Sequence, residues 1–174
     1  MIEYELTFLA KYIPEELIKS EKKEILDIYL PSKEAHCDLR IRKNGDKYEI
    51  IRKRPIDEAD SSIQQETNIA LSADEFAELS AVPGKRIHKW RFAYHYQDKI
   101  ADVDVFLDDL AGLVLIEFEF PSQTEKDKFI YPDFCLAEVT QVEFTAGGML
   151  AGKKYADIEE ELERYKYKKL IINE

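Results

Sequence analysis

Charged residues of a single sign occupy alternate positions in five segments of this sequence, with an apolar residue between the two members of each pair. The pairs are Glu3 and Glu5, Arg40 and Arg42, Lys89 and Arg91, Asp102 and Asp104, and Glu117 and Glu119. Successive side chains of a β-strand point to opposite faces, so each segment is expected to form a strand with one apolar and one charged face. The pattern therefore favours a β-sheet protein over a helical bundle.

Alternation with a period of two continues to about residue 121 and predicts eight strands that mostly follow one another as hairpins. They are 2–10, 24–31, 36–44, 46–54, 64–71, 85–97, 99–108 and 112–121. Short helices are predicted at 14–20, at 72–80 with Ser72 as N-cap, at 122–131 with Ser122 as N-cap, and from 155 to about 166. A chain of 174 residues without a repeat or low-complexity linker is expected to form one domain, 1–174.

Two architectures satisfy this pattern. In the first, a half-solvated antiparallel sheet exposes its charged face to water. In the second, an eight-stranded antiparallel sheet closes into a barrel, and short helices cover its apolar outer face so that the charges point inward. The charges form pairs that are acidic on some strands and basic on others, which favours the second architecture, an α+β fold with a polar tunnel.

Charges inside such a tunnel need partners, because an isolated buried ion costs many kcal/mol. Clustered carboxylates suit a divalent cation, and oxygen ligands favour Mg²⁺ or Mn²⁺ over zinc. Inward Arg and Lys side chains suit phosphate oxygens. A metal ion together with a polyphosphate would satisfy both sets of charges.

With these residues in order, the sequence resembles the CYTH superfamily, the triphosphate tunnel metalloenzymes. The family's first-strand motif ExExK is matched by Glu3 and Glu5, but Thr7 stands where the lysine belongs. The segments LRIR at 39–42, YEIIRK at 48–53, KRIHKWRF at 85–92, DVDVF at 102–106 and LIEFEF at 115–120 follow in the family's order. At the family's ExE, the chain keeps Glu66 and has Asn68 in the second position.

The resemblance implies an eight-stranded tunnel in which basic residues bind a triphosphate and acidic residues hold one or two divalent metal ions. The implied phosphate-binding residues are Arg40, Arg42, Lys53, Lys89 and Arg91. The implied metal ligands are Glu3, Glu5, Asp104, Glu117 and Glu119, with Mg²⁺ or Mn²⁺ as the cofactor. Glu5, Lys89 and Arg91 are the implied catalytic residues.

The chain also departs from the family beyond its first strand. Many members have an Arg and a Lys in the region where this chain has Glu143 and Phe144. The next basic residues are Lys153 and Lys154, and whether they reach the tunnel is open at the level of sequence. Lys11 lies on the same side of the first strand as Thr7 but about 13 Å further along it, so it is a poor substitute for the missing lysine.

Three activities are considered. The leading hypothesis is metal-dependent hydrolysis of inorganic tripolyphosphate or a small organic triphosphate, in which positioning and electrostatics lower the barrier. Cyclisation of ATP to cyclic AMP and pyrophosphate is the alternative within the family. A binding protein with weak turnover is the third hypothesis, because the first-strand lysine and the late basic pair are missing.

Composition restricts the partners and the compartment. A formal net charge of −11 argues against general binding to nucleic acid, which needs a basic surface. The longest apolar runs fall short of the roughly 18 residues that a membrane-spanning helix requires. Cys37 and Cys135 without a CxxC spacing, and a start without an apolar leader, favour the reducing cytoplasm. A homodimer would be consistent with the aromatic exterior that the barrel implies.

Overall fold

Residues 1–172, which the computed structural model describes, contain nine strands in one antiparallel sheet. The last two residues of the predicted domain 1–174 lie outside the described residues. In chain order the strands are β1 (Ile2–Ala10), β2 (Glu21–Leu30), β3 (Leu39–Asn44), β4 (Lys47–Asp57), β5 (Asp60–Leu71), β6 (Lys85–Tyr96), β7 (Lys99–Phe106), β8 (Val114–Phe120) and β9 (Cys135–Glu138).

The sheet closes into a barrel through the two ends of its strand order. Neighbouring strands follow the order β5–β4–β3–β2–β6–β7–β8–β1, and Ile2–Tyr4 of β1 then pair with Ile63–Gln65 of β5. The predicted closed barrel of eight antiparallel strands is confirmed. The short strand β9 was not predicted, since four residues give too little alternation, and it pairs with Phe8–Ala10 at the other end of β1.

Several strands differ from their predicted bounds at the ends. β2 begins at Glu21 instead of residue 24, and its first, charged residues pair with β6 through backbone hydrogen bonds. β5 begins at Asp60 instead of residue 64, because the polar residues at its start pair with the end of β4. Backbone pairing thus determines where a strand ends, and the pattern of apolar side chains does not reveal that pairing.

The helices are short and lie between or after the strands. They are α1 (Ala73–Ser80), α2 (Gln123–Asp127), α3 (Gly147–Leu150) and α4 (Tyr155–Glu163), with 3-10 turns at Glu15–Lys19, Asp108–Leu110 and Glu143–Thr145. The predicted N-caps Ser72 and Ser122 both accept hydrogen bonds from backbone N–H groups of their helices. The two longest predicted helices, 122–131 and 155–166, are shorter in the structure, where they end at Asp127 and Glu163. Among residues 1–172, no helix has the length and apolar character needed to cross a membrane.

Apolar side chains on the outer face of the barrel form much of its core. Phe8 of β1 and Phe118 of β8 are fully buried with ring centroids 6.1 Å apart, and Phe129 packs 4.6 Å from Phe118. Burial of each aromatic or aliphatic side chain of this size stabilises the folded state by roughly 1.5–3 kcal/mol. A second, separate apolar cluster contains the buried side chains of Ile158 and Leu162 from α4. Burial of these outer faces leaves the alternate, charged residues of β1 and β8 pointing inward.

Candidate active site: a charged tunnel

A cavity of about 910 Å³ occupies the inside of the barrel, and inward-facing residues of its strands line it. The predicted site residues on its wall are Glu3, Glu5, Arg40, Arg42, Lys53, Lys89, Arg91, Glu117 and Glu119. Glu66 and Asn68 of β5 also line it. Asp104 lies beneath the wall with only 1% of its surface exposed. The structure therefore brings the whole predicted set together.

Pairing of β1 with β8 explains why the acids are clustered. Glu5 lies directly opposite Glu119, and Thr7 lies opposite Glu117. Burial raises the pKa of the Glu5 carboxyl, and Glu117 and Glu3 raise it further while Lys53 opposes the shift. Burial, followed by Glu3 and Asp102, likewise raises the pKa of Glu119. This part of the tunnel thus holds more negative charge than its neighbours neutralise.

Lys53 of β4 reaches this acidic group across the neighbouring strand β5. Its Nζ donates to Glu5 Oε2 at 2.5 Å and lies 3.0 Å from Glu3 Oε2. Burial alone would lower the pKa of Lys53, but Glu5, Glu117 and Glu3 together raise it above its ordinary value. Lys53 is therefore a positively charged group among the carboxylates.

Arg91 of β6 is held by acids on two strands. Its Nε and Nη2 donate to Asp104 at 2.7 and 2.6 Å, Nη1 donates to Asp102 at 2.9 Å, and Nη2 also donates to Glu117 at 2.6 Å. Lys89 donates to Asp104 as well. Because Arg91 satisfies both oxygens of Asp104, this carboxylate orients two cations from beneath the tunnel wall.

The opposite side of the tunnel carries the two arginines of β3. Arg42 makes a bidentate pair with Asp27 of β2, with distances of 2.6 Å from Nε and 2.7 Å from Nη2. Burial would raise the pKa of Asp27, but Arg42, followed by Arg40 and Lys89, lowers it to about 2. A carboxylate that is 1% exposed is therefore ionised and holds Arg42 in one orientation.

Arg40 has weaker partners than the other tunnel cations. Its Nη1 donates to the Tyr29 hydroxyl at 3.2 Å, and its nearest carboxylate oxygens, on Asp27 and Glu66, are 3.9 Å away. Within the described part of the chain, Arg40 Nε is buried without a hydrogen-bond partner. A buried guanidinium with an unused donor suits an incoming phosphate oxygen.

Two residues of this network were missed by sequence reasoning. Asp27 interrupts the apolar run ILDIYL at 25–30, and an acid in the middle of such a strand is a detectable sign of a buried, paired charge. Tyr29, two positions further, faces the same side and supports Arg40. Neither follows from the alternating like-signed pairs, since each stands among uncharged neighbours.

The structure also places the residues at which the chain departs from the motifs of the CYTH superfamily that it resembles. Thr7 lines the tunnel, and its backbone N–H donates to Thr140 at 3.0 Å. Lys11 pairs with Asp133 at 2.5 Å outside the tunnel. Lys153 lines a separate cavity of about 350 Å³ beside His88, whereas Glu143 lines the tunnel itself. Within residues 1–172, these lysines therefore do not replace the missing first-strand lysine.

The donor set of the tunnel fits a divalent cation, although the described residues contain no group of three or more acidic, His or Cys side chains already arranged around a metal position. Hard carboxylate oxygens are abundant, and burial, together with neighbouring acids, raises the pKa values of the Glu5 and Glu119 carboxyl groups. Carboxylates also outnumber Lys and Arg side chains along the wall. Bound divalent metal would neutralise this excess.

The fold and its charged interior define a triphosphate tunnel, and comparison with known proteins agrees. No family model matches the chain. An inorganic triphosphatase from Nitrosomonas europaea is 32% identical over 115 residues, which is 65% of this chain and 74% of that protein. The chain belongs to the CYTH superfamily of triphosphate tunnel metalloenzymes, whose members generally depend on a divalent metal.

Solved structures support the same assignment. The crystal structure of an inorganic triphosphatase matches with a TM-score of 0.63 and 27% identity, covering 87% of this chain and 95% of that one. A conserved hypothetical protein from Pyrococcus furiosus matches with a TM-score of 0.50 and 18% identity, covering 72% of this chain and 82% of that one. The second likeness concerns the fold alone.

Proposed function

We propose that this protein hydrolyses inorganic triphosphate, or a small organic triphosphate, inside its tunnel with the help of a divalent metal ion. The observation that carries the proposal is the convergence of five basic side chains and a cluster of carboxylates on one cavity. The relationship to an inorganic triphosphatase supports it. A volume of about 910 Å³ accommodates a small ligand together with metal and water.

In this proposal the triphosphate lies among five cations of the tunnel, Arg40, Arg42, Lys53, Lys89 and Arg91. Arg40 offers its unused Nε donor, and Arg42 is oriented by its pair with Asp27. Asp104 orients Lys89 and Arg91 from below. Cations fixed in this way stabilise negative charge without having to reorganise, which is how preorganised sites lower a barrier.

The metal ligands that we propose are Glu3, Glu5, Glu117 and Glu119, with Asp104 assisting from beneath the wall. Carboxylate oxygens favour Mg²⁺ or Mn²⁺. When bound, such an ion would polarise phosphate oxygens and neutralise part of their charge. Glu5, as a ligand of the metal ion, is one of three proposed catalytic residues. The other two, Lys89 and Arg91, stabilise the charge that spreads over the transferring phosphoryl group during in-line attack by water.

A second candidate is a triphosphate-binding protein with little turnover. Thr7 and Glu143 on the tunnel wall favour it, because the family has basic residues in these regions. Lys11 pairs with Asp133 and Lys153 lines a separate cavity, so neither supplies the missing charge. Binding requires only contacts to the substrate, whereas turnover also requires interactions that are stronger in the transition state.

Product analysis separates these candidates. Purified protein would be incubated with tripolyphosphate, ATP or thiamine triphosphate, each with Mg²⁺, Mn²⁺ or Ca²⁺. Release of orthophosphate from tripolyphosphate only when metal is present supports the proposal. Cyclic AMP and pyrophosphate from ATP would indicate the cyclase instead, and tight binding by calorimetry without product over hours would indicate the binding protein.

We also propose a reducing, cytoplasmic location. The expected homodimer can be tested by measuring the molecular mass in solution by light scattering. Cys37 and Cys135 are both buried free thiols, which is consistent with a compartment where disulfides do not form.

A further inference from the structure

Lys53 stands in salt bridges with the carboxylates that we propose as metal ligands. Its Nζ is 2.5 Å from Glu5 and 3.0 Å from Glu3. The side chains are partly shielded from water, with 20% of Lys53, 12% of Glu5 and 14% of Glu3 exposed. Attraction between these charges is stronger here than at an open surface.

A divalent cation and the ammonium group of Lys53 could share these oxygens only at a large cost in electrostatic free energy. Metal–oxygen distances are about 2.0–2.6 Å, so an ion bound to Glu3 and Glu5 would lie close to the present position of Lys53 Nζ. Two cations at such separation repel each other strongly in a partly buried site. Lys53 has a flexible four-carbon stem, so it can move while its backbone stays in β4.

Arg91 provides the contrast. It also contacts a proposed metal ligand, Glu117, at 2.6 Å. Yet Asp104 and Asp102 hold three other donor contacts of the same guanidinium. Arg91 can therefore lose Glu117 to a metal and keep its place, whereas Lys53 loses both of its carboxylate partners.

We propose that Lys53 is an internal counter-cation that a divalent metal must displace from Glu3 and Glu5, and that the displaced ammonium group then binds the phosphate chain. The proposal rests on the function proposed above and deepens it. It follows that metal and triphosphate each make binding of the other easier, because the phosphate supplies the partner that Lys53 loses. Metal alone competes with Lys53 and binds weakly.

The test measures Mn²⁺ binding to the protein without any triphosphate, from the electron paramagnetic resonance signal of free Mn²⁺. Lys53→Met removes the competing charge and is expected to tighten Mn²⁺ binding about tenfold, the effect of roughly 1.4 kcal/mol. Lys53→Arg keeps the charge and is expected to bind Mn²⁺ as weakly as the wild type. Unchanged or weaker binding by Lys53→Met would overturn the proposal.

Two further variants secure this result. Lys43→Met breaks a comparable Lys–Glu pair, with Glu24 at 2.8 Å, that lies outside the tunnel, and it should leave Mn²⁺ affinity unchanged. Tightening by Lys43→Met as well would show a general charge effect and overturn the proposal. Lys53→Gln repeats the charge removal with a polar side chain, in case Lys53→Met fails to fold by circular dichroism.

Failure of the counter-cation role and failure of the proposed function give different results. If wild-type protein releases no orthophosphate from tripolyphosphate but Lys53→Met still tightens Mn²⁺, the counter-cation role stands and hydrolysis is wrong. If the wild type is active and Lys53→Met does not tighten Mn²⁺, hydrolysis stands and the counter-cation role is wrong.

Discussion

Asp27 illustrates how a single buried charge is maintained in this barrel. It is 1% exposed, and burial alone would favour its neutral form. The bidentate contact with Arg42 outweighs that cost and lowers the pKa of Asp27 from 3.8 to about 2. Removing one partner of such a pair leaves an uncompensated buried charge, which is more costly than the pair is stabilising.

Replacing Asp27 by Asn should therefore destabilise the fold by roughly 3 kcal/mol at pH 7. Since the folded pKa of Asp27 is depressed, its contribution is fully present above about pH 4 and is lost as the pH falls through about 2. Urea unfolding of both proteins between pH 7 and pH 2.5 measures this. A difference in unfolding free energy that stays constant with pH would contradict the prediction.

Glu5→Gln tests the acidic side of the tunnel. It should abolish metal-dependent release of orthophosphate, because a neutral amide is a poor ligand for a hard cation. The barrel should stay folded, since Lys53 keeps Glu3 at 3.0 Å. Glu24→Gln outside the tunnel is the matched control and should keep its activity. Full turnover by a folded Glu5→Gln protein would refute the proposed metal ligand.

At the scale of elements, the segment that contains α3 is fastened against the loop that precedes β3. Lys85 Nζ donates to the carbonyl oxygens of Glu34 and Ala35 at 2.9 Å and of Gly148 at 3.0 Å. A Cβ atom on Gly148 would lie 2.0 Å from the carbonyl oxygen of Cys37, so only glycine permits this approach. One lysine thus joins two segments that are far apart in sequence.

Lys85→Met should release these segments from each other. Each hydrogen bond from a charged donor contributes about 1.5–3 kcal/mol, so a loss of several kcal/mol in local stability is expected. Hydrogen exchange followed by mass spectrometry should show faster exchange in 34–38 and 146–150, with β6 and β7 unchanged. Equal acceleration throughout the barrel would instead indicate global destabilisation.

At the scale of the whole molecule, the barrel depends on one short seam. β1 and β5 pair only over Ile2–Tyr4 and Ile63–Gln65, extended by a hydrogen bond from Glu66 N–H to Met1 O at 2.9 Å. By contrast, β6 and β7 pair from Lys89 to Tyr96. Short pairings open more easily than long ones, because fewer bonds have to break together.

Amides of the seam should accordingly exchange faster than those of the β6–β7 hairpin. The proposed ligands of metal and phosphate, Glu3 of β1 and Lys53 of β4, lie on both sides of the seam. Mn²⁺ with tripolyphosphate should therefore slow exchange at 2–4 and 63–65 more than at 100–105. Exchange at the seam that is as slow as in the hairpin without ligand would contradict this.

The sequence by itself determined the strands and their separation into a charged and an apolar face, and it favoured the closed barrel over an open sheet. Alternation with a period of two places Glu3, Glu5, Glu117 and Glu119 on one face of their strands, and apolar neighbours such as Phe118 require the other face to be buried. These are local properties, so they can be seen without knowing which strands are neighbours. The collinear motifs extended the same inference to the phosphate-binding residues.

Only the tertiary structure decided which charges meet. Register between distant strands pairs Arg42 with Asp27, brings Lys53 to Glu5, and leaves Arg40 Nε without a hydrogen-bond partner among residues 1–172. The folded chain also places Lys11 beside Asp133 and Lys153 in a separate cavity, away from the tunnel. Electrostatic energy depends on separations of a few ångströms between residues far apart in sequence, and those distances exist only once the sheet has closed.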